Sequence, residues 1–102
     1  MEPNPPPSAR VDVIVQHTPL GFIYSLFTPT ITIDGQVNKR PWGTSSFELI
    51  AGNHEVAVSY PWLFAPECGK NSVRFNLQAG ETKTVSYRAG LIRYLPGKIS
   101  VS

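Results

Sequence analysis

Apolar and polar residues alternate along most of this chain. In "RVDVIVQ", Val11, Val13 and Val15 fall on one side, Asp12 and Gln16 fall on the other, and Ile14 is an exception. A period of two is typical of a strand with one buried face. The same alternation directs further side chains towards one core: Ile31, Ile33, Phe47, Leu49, Val56, Val58, Val73, Phe75, Leu77, Val85 and Tyr87.

Turn residues separate these alternating segments. Asp34-Gly35, Gly52-Asn53 and Ala79-Gly80-Glu81 are turn signals, and Pro96-Gly97 divides "LIRYLPGKISV" into two short strand pieces. No stretch keeps a helical period, and ten prolines and eight glycines disfavour long helices. The pattern predicts an all-β fold, an antiparallel β-sandwich of seven or eight short strands, with a small barrel as the alternative. Antiparallel pairing is expected because the connections are too short for helical crossovers.

The register after Asp34-Gly35 depends on the length of the loop. A two-residue loop pairs Ile33 with Gln36, whereas a three-residue loop pairs Ile33 with Val37. Because the longer loop keeps both apolar residues on the core face, we predict that loop.

The chain of 102 residues is long enough for one domain with a single core. We predict that the proline-rich residues 1–9 form a disordered or polyproline-II lead-in and that residues 10–102 form one β-sandwich. The start of the chain does not resemble a secretory signal. No apolar run approaches the roughly 20 residues that span a bilayer. We therefore expect no transmembrane segment here; association with a membrane through regions outside this chain stays open, as does a cytoplasmic or envelope-associated location.

The segment "HTPLGFIYSLFTPT" departs from simple alternation. Its centre, from Phe22 to Phe27, is apolar on both faces and is bounded by Pro19 and Pro29. It is interpreted either as a strand buried on both sides or as an apolar loop that grips a partner, and insertion into a membrane is a further use for such a loop.

Charge and candidate chemistry exclude more than they suggest. A net charge of +2 gives no reason to expect a nucleic-acid partner, and the basic residues, concentrated from Lys39 onward, form either a basic face or ordinary solvated strand surface. Cys68 is the only cysteine, which rules out an internal disulfide and a cysteine-rich zinc site. His17 and His54 have no metal-ligand spacing, and neither a Gly-x-Ser-x-Gly elbow nor a phosphate-binding glycine loop is present. We predict no enzymatic activity, no metal and no cofactor.

An aromatic segment, "SYPWLFAPECGK", gives the candidate site. Its aromatic residues continue the parity of the core strand, but Pro61 lacks an amide hydrogen, so the strand must end there, lie at an edge or bulge. The aromatic side chains either cap the open end of the sandwich or form an exposed platform for a peptide, sugar or lipid head group. The candidate partner-binding surface consists of Arg40, Trp42, Tyr60, Trp62, Phe64 and Lys70.

The segment "ITIDGQVNKRPWGTSSFELIAGNHEVAVSYPWL" resembles the PEGA domain and the wider group of prealbumin-like (transthyretin-like) β-sandwich modules. Ile33-Asp34-Gly35 matches the family's [VI]-D-G turn, and residues 52–58 match its Gly-x-[HY]-x-[VI]-x-[VI] strand. Ala51 stands where the family usually has a proline. The resemblance implies a non-catalytic accessory module of a bacterial or archaeal envelope-associated or multidomain protein. It also implies structural roles for the matched Asp34, Gly35, Gly52 and His54.

These observations predict a non-catalytic binding or scaffolding module with a protein partner. The alternative is a carbohydrate-binding module that uses exposed Trp42 and Trp62 as stacking platforms.

Overall fold

The computed structural model describes residues 8–17, 27–62, 65–90 and 96–102. In these ranges the chain forms strands and no helix, which confirms the predicted all-β class and the number of strands. Most of the apolar segment between Pro19 and Pro29 lies outside the described residues, as does the first piece of the last predicted segment. The strands are β1 (Ser8–His17), β2 (Thr30–Ile33), β3 (Gln36–Lys39), β4 (Gly43–Ile50), β5 (Gly52–Trp62), β6 (Ala65–Leu77), β7 (Thr82–Ala89) and β8 (Lys98–Val101).

The strands form two four-stranded sheets with a core between them. Sheet A has the order β4-β1-β7-β8, and sheet B has the order β3-β2-β5-β6. The inward side chains are those that the alternation predicts, because successive residues of a strand point to opposite faces. Phe47, Leu49 and Val73 are partly buried and pack against this core. The fully or almost fully buried residues include Val11, Val13, Val15, Ile31, Ile33, Val56, Val58, Phe75, Leu77, Val85 and Tyr87.

One strand pair departs from the predicted antiparallel arrangement. β1 and β7 are parallel neighbours, with Val13 opposite Val85, whereas the other pairs are antiparallel. The prediction assumed that parallel neighbours need a direct crossover. Here five strands, β2 to β6, lie between β1 and β7 along the chain, and all of them except β4 belong to sheet B.

The predicted register of the β2–β3 hairpin is wrong. Ile33 pairs with Gln36 across a two-residue turn, and Val37 is 62% exposed. Asp34 and Gly35 have φ values of 51° and 85°. Positive φ at both central residues defines the type I′ turn, whose twist matches that of the flanking strands. The conformational preference of Asp34-Gly35 for a type I′ turn therefore outweighs the free energy that burial of Val37 would contribute.

Two boundaries differ from the prediction at the end of the sandwich that holds the β2–β3 turn. β1 begins at Ser8, inside the predicted lead-in. Gly52 and Asn53 belong to β5 and do not form a turn. β4 and β5 lie in different sheets, so the chain changes sheets through Ala51 alone, next to Gly52 with φ of 141°. A glycine is well suited to this corner because it tolerates positive φ without steric cost.

Pro61 behaves as its missing amide hydrogen requires. It lies within β5, and the pairing of β5 with β6 shifts register between Val58 and Tyr60 and again between Tyr60 and Trp62. Such irregularities are the positions at which a sheet accepts proline. β6 begins at Ala65 and is therefore longer than the alternating segment around Val73, Phe75 and Leu77 predicts.

Candidate contact surface at one end of the sandwich

Strand direction gathers several connections at one end of the sandwich, which we call the loop end. β1, β3, β5 and β7 all finish there, and β2, β4, β6 and β8 start there. Five of the six residues predicted as a contact surface belong to these connections or to the adjoining parts of the strands. The fold therefore brings to the same end positions that are up to thirty residues apart, namely Arg40, Trp42, Tyr60, Trp62 and Lys70.

Trp42 is half-buried at the loop end and is fixed by contacts on several sides. Its Nε1 donates a hydrogen bond to the Phe27 carbonyl oxygen at 2.9 Å. The ring of His17 meets it at right angles with 4.9 Å between centroids, and the ring of Tyr60 lies 5.9 Å away at a tilt. Edge-to-face and tilted contacts of this kind stabilise aromatic clusters. Trp42 therefore closes the end of the core while part of its surface remains accessible.

Tyr60 does not belong to an exposed surface. Its side chain is 1% exposed and lies in the core cluster, because it continues the inward parity of Val56 and Val58. Its ring packs against Gly69, where an added Cβ would come within 2.6 Å of the Tyr60 Cε1. Tyr60 therefore closes the end of the core, and the prediction that it belongs to the contact surface is wrong.

Arg40 and Lys70 present accessible positive charge at the loop end. The Arg40 guanidinium lies 5.3 Å from the centroid of the Phe47 ring and donates to the Lys39 carbonyl oxygen at 3.1 Å. Lys70 Nζ lies 3.4 Å from Glu67 Oε2 in an exposed pair. An exposed pair of this kind is worth only about 0–1 kcal/mol, so Lys70 is readily available to a partner.

The side chain of Trp62 and the whole of Phe64 lie outside the described residues. Their place in a contact surface stays a prediction. The backbone of Trp62 ends β5 opposite Ala65 of β6, at the β5–β6 connection.

The best-defined polar cluster lies at the opposite end and surrounds His54. Its imidazole is buried; Nδ1 lies 2.5 Å from Asp34 Oδ2, and Nε2 lies 2.7 Å from the Ile50 carbonyl oxygen. The other carboxylate oxygen of Asp34 accepts from the Glu55 amide at 2.8 Å. Both oxygen atoms facing the ring are acceptors, so both ring nitrogens donate when the imidazole is protonated.

This geometry shifts both pKa values. Burial opposes the charge of His54, but the hydrogen bonds to Asp34 and to the Ile50 carbonyl outweigh it and raise the pKa of the imidazole. Burial also opposes the charge of Asp34, yet the hydrogen bonds from His54 and the Glu55 amide lower the pKa of its carboxyl group. The two groups therefore form an ion pair that is stabilised by its surroundings.

The His54 pair is suited to holding the fold together. Each ring nitrogen already contacts an oxygen, so none is left to bind a metal or to remove a proton from a substrate. The resemblance implied structural roles for His54 and for Asp34 separately, but the sequence did not indicate that the two side chains contact each other.

Cys68 is 4% exposed and lies opposite Tyr60 in the sheet. A reactive cysteine needs access and a neighbouring base. Because Cys68 is buried, its thiol lacks the access that a reactive cysteine needs.

Across the parts of the chain that the structure describes, no three His, Cys, Asp or Glu side chains are grouped so that they could hold a metal ion. The same parts contain no helix of the length and apolar character that a membrane span requires. Comparison with protein-family models, with curated proteins and with solved structures found no match to this chain.

Proposed function

We propose that this domain is a non-catalytic binding module whose partner contacts the loop end. The observation that carries the proposal is the convergence at this end of two accessible cations, Arg40 and Lys70, with the half-buried Trp42. Trp and Arg are enriched among the residues that dominate binding energies at interfaces. Trp42 is also held in place before binding, which lowers the entropy cost of association.

A protein partner is favoured over a carbohydrate. A stacking platform needs an aromatic face open to a sugar ring. Trp42 is half-buried and is held by His17, Tyr60 and the Phe27 carbonyl, so its freedom to serve as such a platform is reduced. The carbohydrate alternative therefore depends mainly on Trp62.

We also propose that the domain is a PEGA-like, prealbumin-like accessory module of a bacterial envelope-associated or multidomain protein. The two-sheet sandwich supports this proposal, as does the tight turn at Asp34-Gly35 held by His54. The resemblance implied a β-sandwich and a turn at Asp34-Gly35, and the contact between His54 and Asp34 agrees with the structural roles that it implied for both residues.

The proposal is tested by crosslinking from defined positions. A photoreactive phenylalanine analogue placed at Arg40 or at Lys70 is expected to capture a specific partner in cells. The matched control carries the same analogue at Arg74, an exposed position nearer the opposite end of sheet B. Capture from Arg74 in place of the loop end would overturn the proposed surface.

The candidate partner is then titrated into the isotope-labelled domain. Amide signals of residues 40–43 and 60–70 are expected to shift, and shifts confined to other regions would exclude the loop end. A glycan array read by tryptophan fluorescence tests the carbohydrate alternative, since a response there that is lost in Trp62→Ala would favour it.

A further inference from the structure

Two basic side chains stand directly opposite each other on the outer face of sheet A. Arg88 of β7 pairs with Lys98 of β8, and residues opposite each other in a ladder share a face of the sheet. Gln16 of β1 lies on the other side of Arg88, and its Oε1 accepts a hydrogen bond from Arg88 Nη2 at 3.5 Å. All three side chains are exposed.

This arrangement places like charges together without a counter-charge. Like charges directly opposite in a sheet are destabilising by a few tenths of a kcal/mol or more, roughly 0.2–1 kcal/mol. Among the described residues, neither Arg88 nor Lys98 has a carboxylate within ion-pair distance. On β1 the nearest acid of this face is Asp12, four residues before Gln16, and it is engaged by Arg10 at 2.9 Å and Ser46 at 2.6 Å.

Neutral hydrogen-bond donors complete the site. Two rungs along the same ladder, Ser86 pairs with Ser100, and both are exposed on the same face. An open depression of about 370 Å³ lies over these side chains. Two cations, two hydroxyls and an amide therefore border one accessible volume, which is lined by Gln16, Ser86, Tyr87, Arg88, Lys98, Ile99 and Ser100.

In a second depression, of about 580 Å³, the charged side chains already have partners of opposite charge. It contains Arg74, but the Arg74 guanidinium is bound to Glu55 at 2.8 Å. His54 and Asp34 are paired in the same place. The charges there neutralise each other, whereas those of Arg88 and Lys98 do not.

We propose that this face of sheet A is an oxyanion site that binds a phosphate group, either of a soluble phosphate ester or of a phospholipid head group. Arg88 offers a planar donor fork that matches two phosphate oxygens, and Lys98 adds a point charge. The hydroxyls of Ser86 and Ser100 donate to the remaining oxygens. The bound anion relieves the repulsion between the two cations. This site lies on the outer face of sheet A beside the loop end, but it uses none of the residues proposed to contact the partner. Substitutions at Arg88 and Lys98 therefore test it separately.

The first experiment is a titration of the isotope-labelled domain with inorganic phosphate, at constant pH and with ionic strength balanced by chloride. Saturable shifts are expected at the amides of Gln16, Ser86, Arg88, Lys98 and Ser100. Arg88→Gln and Lys98→Gln should each weaken binding about tenfold, since one charge-assisted hydrogen bond of roughly 1.5 kcal/mol is lost. The double variant should show no saturable shift.

Arg74→Gln is the matched control, because it removes one exposed cation that already has a partner. It should bind phosphate as the unmodified domain does. Shifts that rise linearly without saturation, or that persist in the double variant, would overturn the site.

Vesicles distinguish the two sources of phosphate. Co-sedimentation with vesicles containing 30% phosphatidylserine, but not with pure phosphatidylcholine, and its loss in the double variant, would identify a head group. Saturable phosphate shifts without co-sedimentation would identify a soluble ester. Both outcomes support the oxyanion site.

A stability measurement gives a second test that needs no ligand. Because Arg88 and Lys98 are exposed, each substitution should leave the fold intact and slightly raise the thermal midpoint in phosphate-free buffer. Phosphate should raise the midpoint of the unmodified domain more than that of the double variant. A fall in the midpoint of both single variants without phosphate would contradict the proposed repulsion.

Discussion

At the residue scale, His54 joins two separate connections through its two ring nitrogens. Asp34 belongs to the β2–β3 turn of sheet B, and Ile50 ends β4 of sheet A. Only the protonated ring can donate to both. The proton on His54 is therefore part of what holds the corner between the sheets.

Stability should accordingly depend on pH. The folded-state pKa of His54 is raised above its ordinary value of 6.5, so its contribution is complete below that pH and is lost as pH rises through the folded value. The folded-state pKa of Asp34 is lowered from 3.8, so its contribution is present above that pH and is lost as pH falls through the folded value. The pair stabilises the domain most between these two ordinary values. Urea unfolding should show a lower free energy of unfolding at pH 8.5 than at pH 5.5.

Substitution of the pair checks the cause. His54→Ala should lower the free energy of unfolding by about 2 kcal/mol at pH 5.5, because it removes a buried ring and its hydrogen bonds. The difference between pH 5.5 and pH 8.5 should shrink in this variant and in Asp34→Asn. An unchanged pH profile in both would show that another group is responsible.

At the scale of elements, the β2–β3 hairpin shows which local rule prevails when two of them conflict. The turn preference of Asp34-Gly35 favours two residues, and burial of Val37 favours three. The turn is reinforced from outside, because the Asp34 amide donates to the Glu55 carbonyl at 2.9 Å and its side chain binds His54. These contacts come from β5, twenty residues away, so the sequence around the turn did not reveal them.

The register is tested by a pair of matched substitutions. Val37→Ser should change the free energy of unfolding by less than about 0.5 kcal/mol, because the side chain is 62% exposed. Val58→Ser, at a fully buried position of the same sheet, should cost more than about 2 kcal/mol. Chemical denaturation measures both. Equal losses at the two sites would support the three-residue loop.

The sequence predicted features that depend on local residues better than features that depend on contacts between distant parts of the chain. Alternation alone identified the inward residues of β1, because every second residue of a half-buried strand is apolar. It did not identify the parallel neighbour of β1 or the sheet change at Ala51, which depend on how sheets stack. Of the candidate surface, the loop position of Trp42 could be predicted from its neighbours Pro41 and Gly43. The burial of Tyr60 could not be decided from the sequence, because its inward parity favoured the core and the adjacent Pro61 favoured the end of the strand.

At the scale of the whole molecule, the sandwich is closed along one side by contacts between β6 and the segment that leads into β8. The Gly69 carbonyl accepts from the Gly97 amide at 2.9 Å and from the Tyr87 hydroxyl at 2.6 Å. Asn71 Nδ2 donates to the Gly97 carbonyl at 2.8 Å. The two sheets are thus linked by hydrogen bonds where their edges meet.

This closure depends on small residues. A Cβ at position 97 would overlap the ring of Tyr87, so Gly97→Ala should lower the free energy of unfolding by about 1–3 kcal/mol. Gly90→Ala is the matched control, because a Cβ there meets no atom within 4 Å. Thermal unfolding of both variants checks the difference. Equal stability of the two would show that the β6–β8 edge can adjust freely.

The parallel pairing of β1 with β7 has a consequence for synthesis on the ribosome. Gln16 and Arg88 are neighbours in sheet A, but they are 72 residues apart along the chain. One side of β1 therefore has no native partner until β7 has left the exit tunnel. The first strand to be synthesised must wait for the seventh before sheet A can form. Because such distant contacts close slowly, sheet A should form late in folding, after β7 has become available to β1.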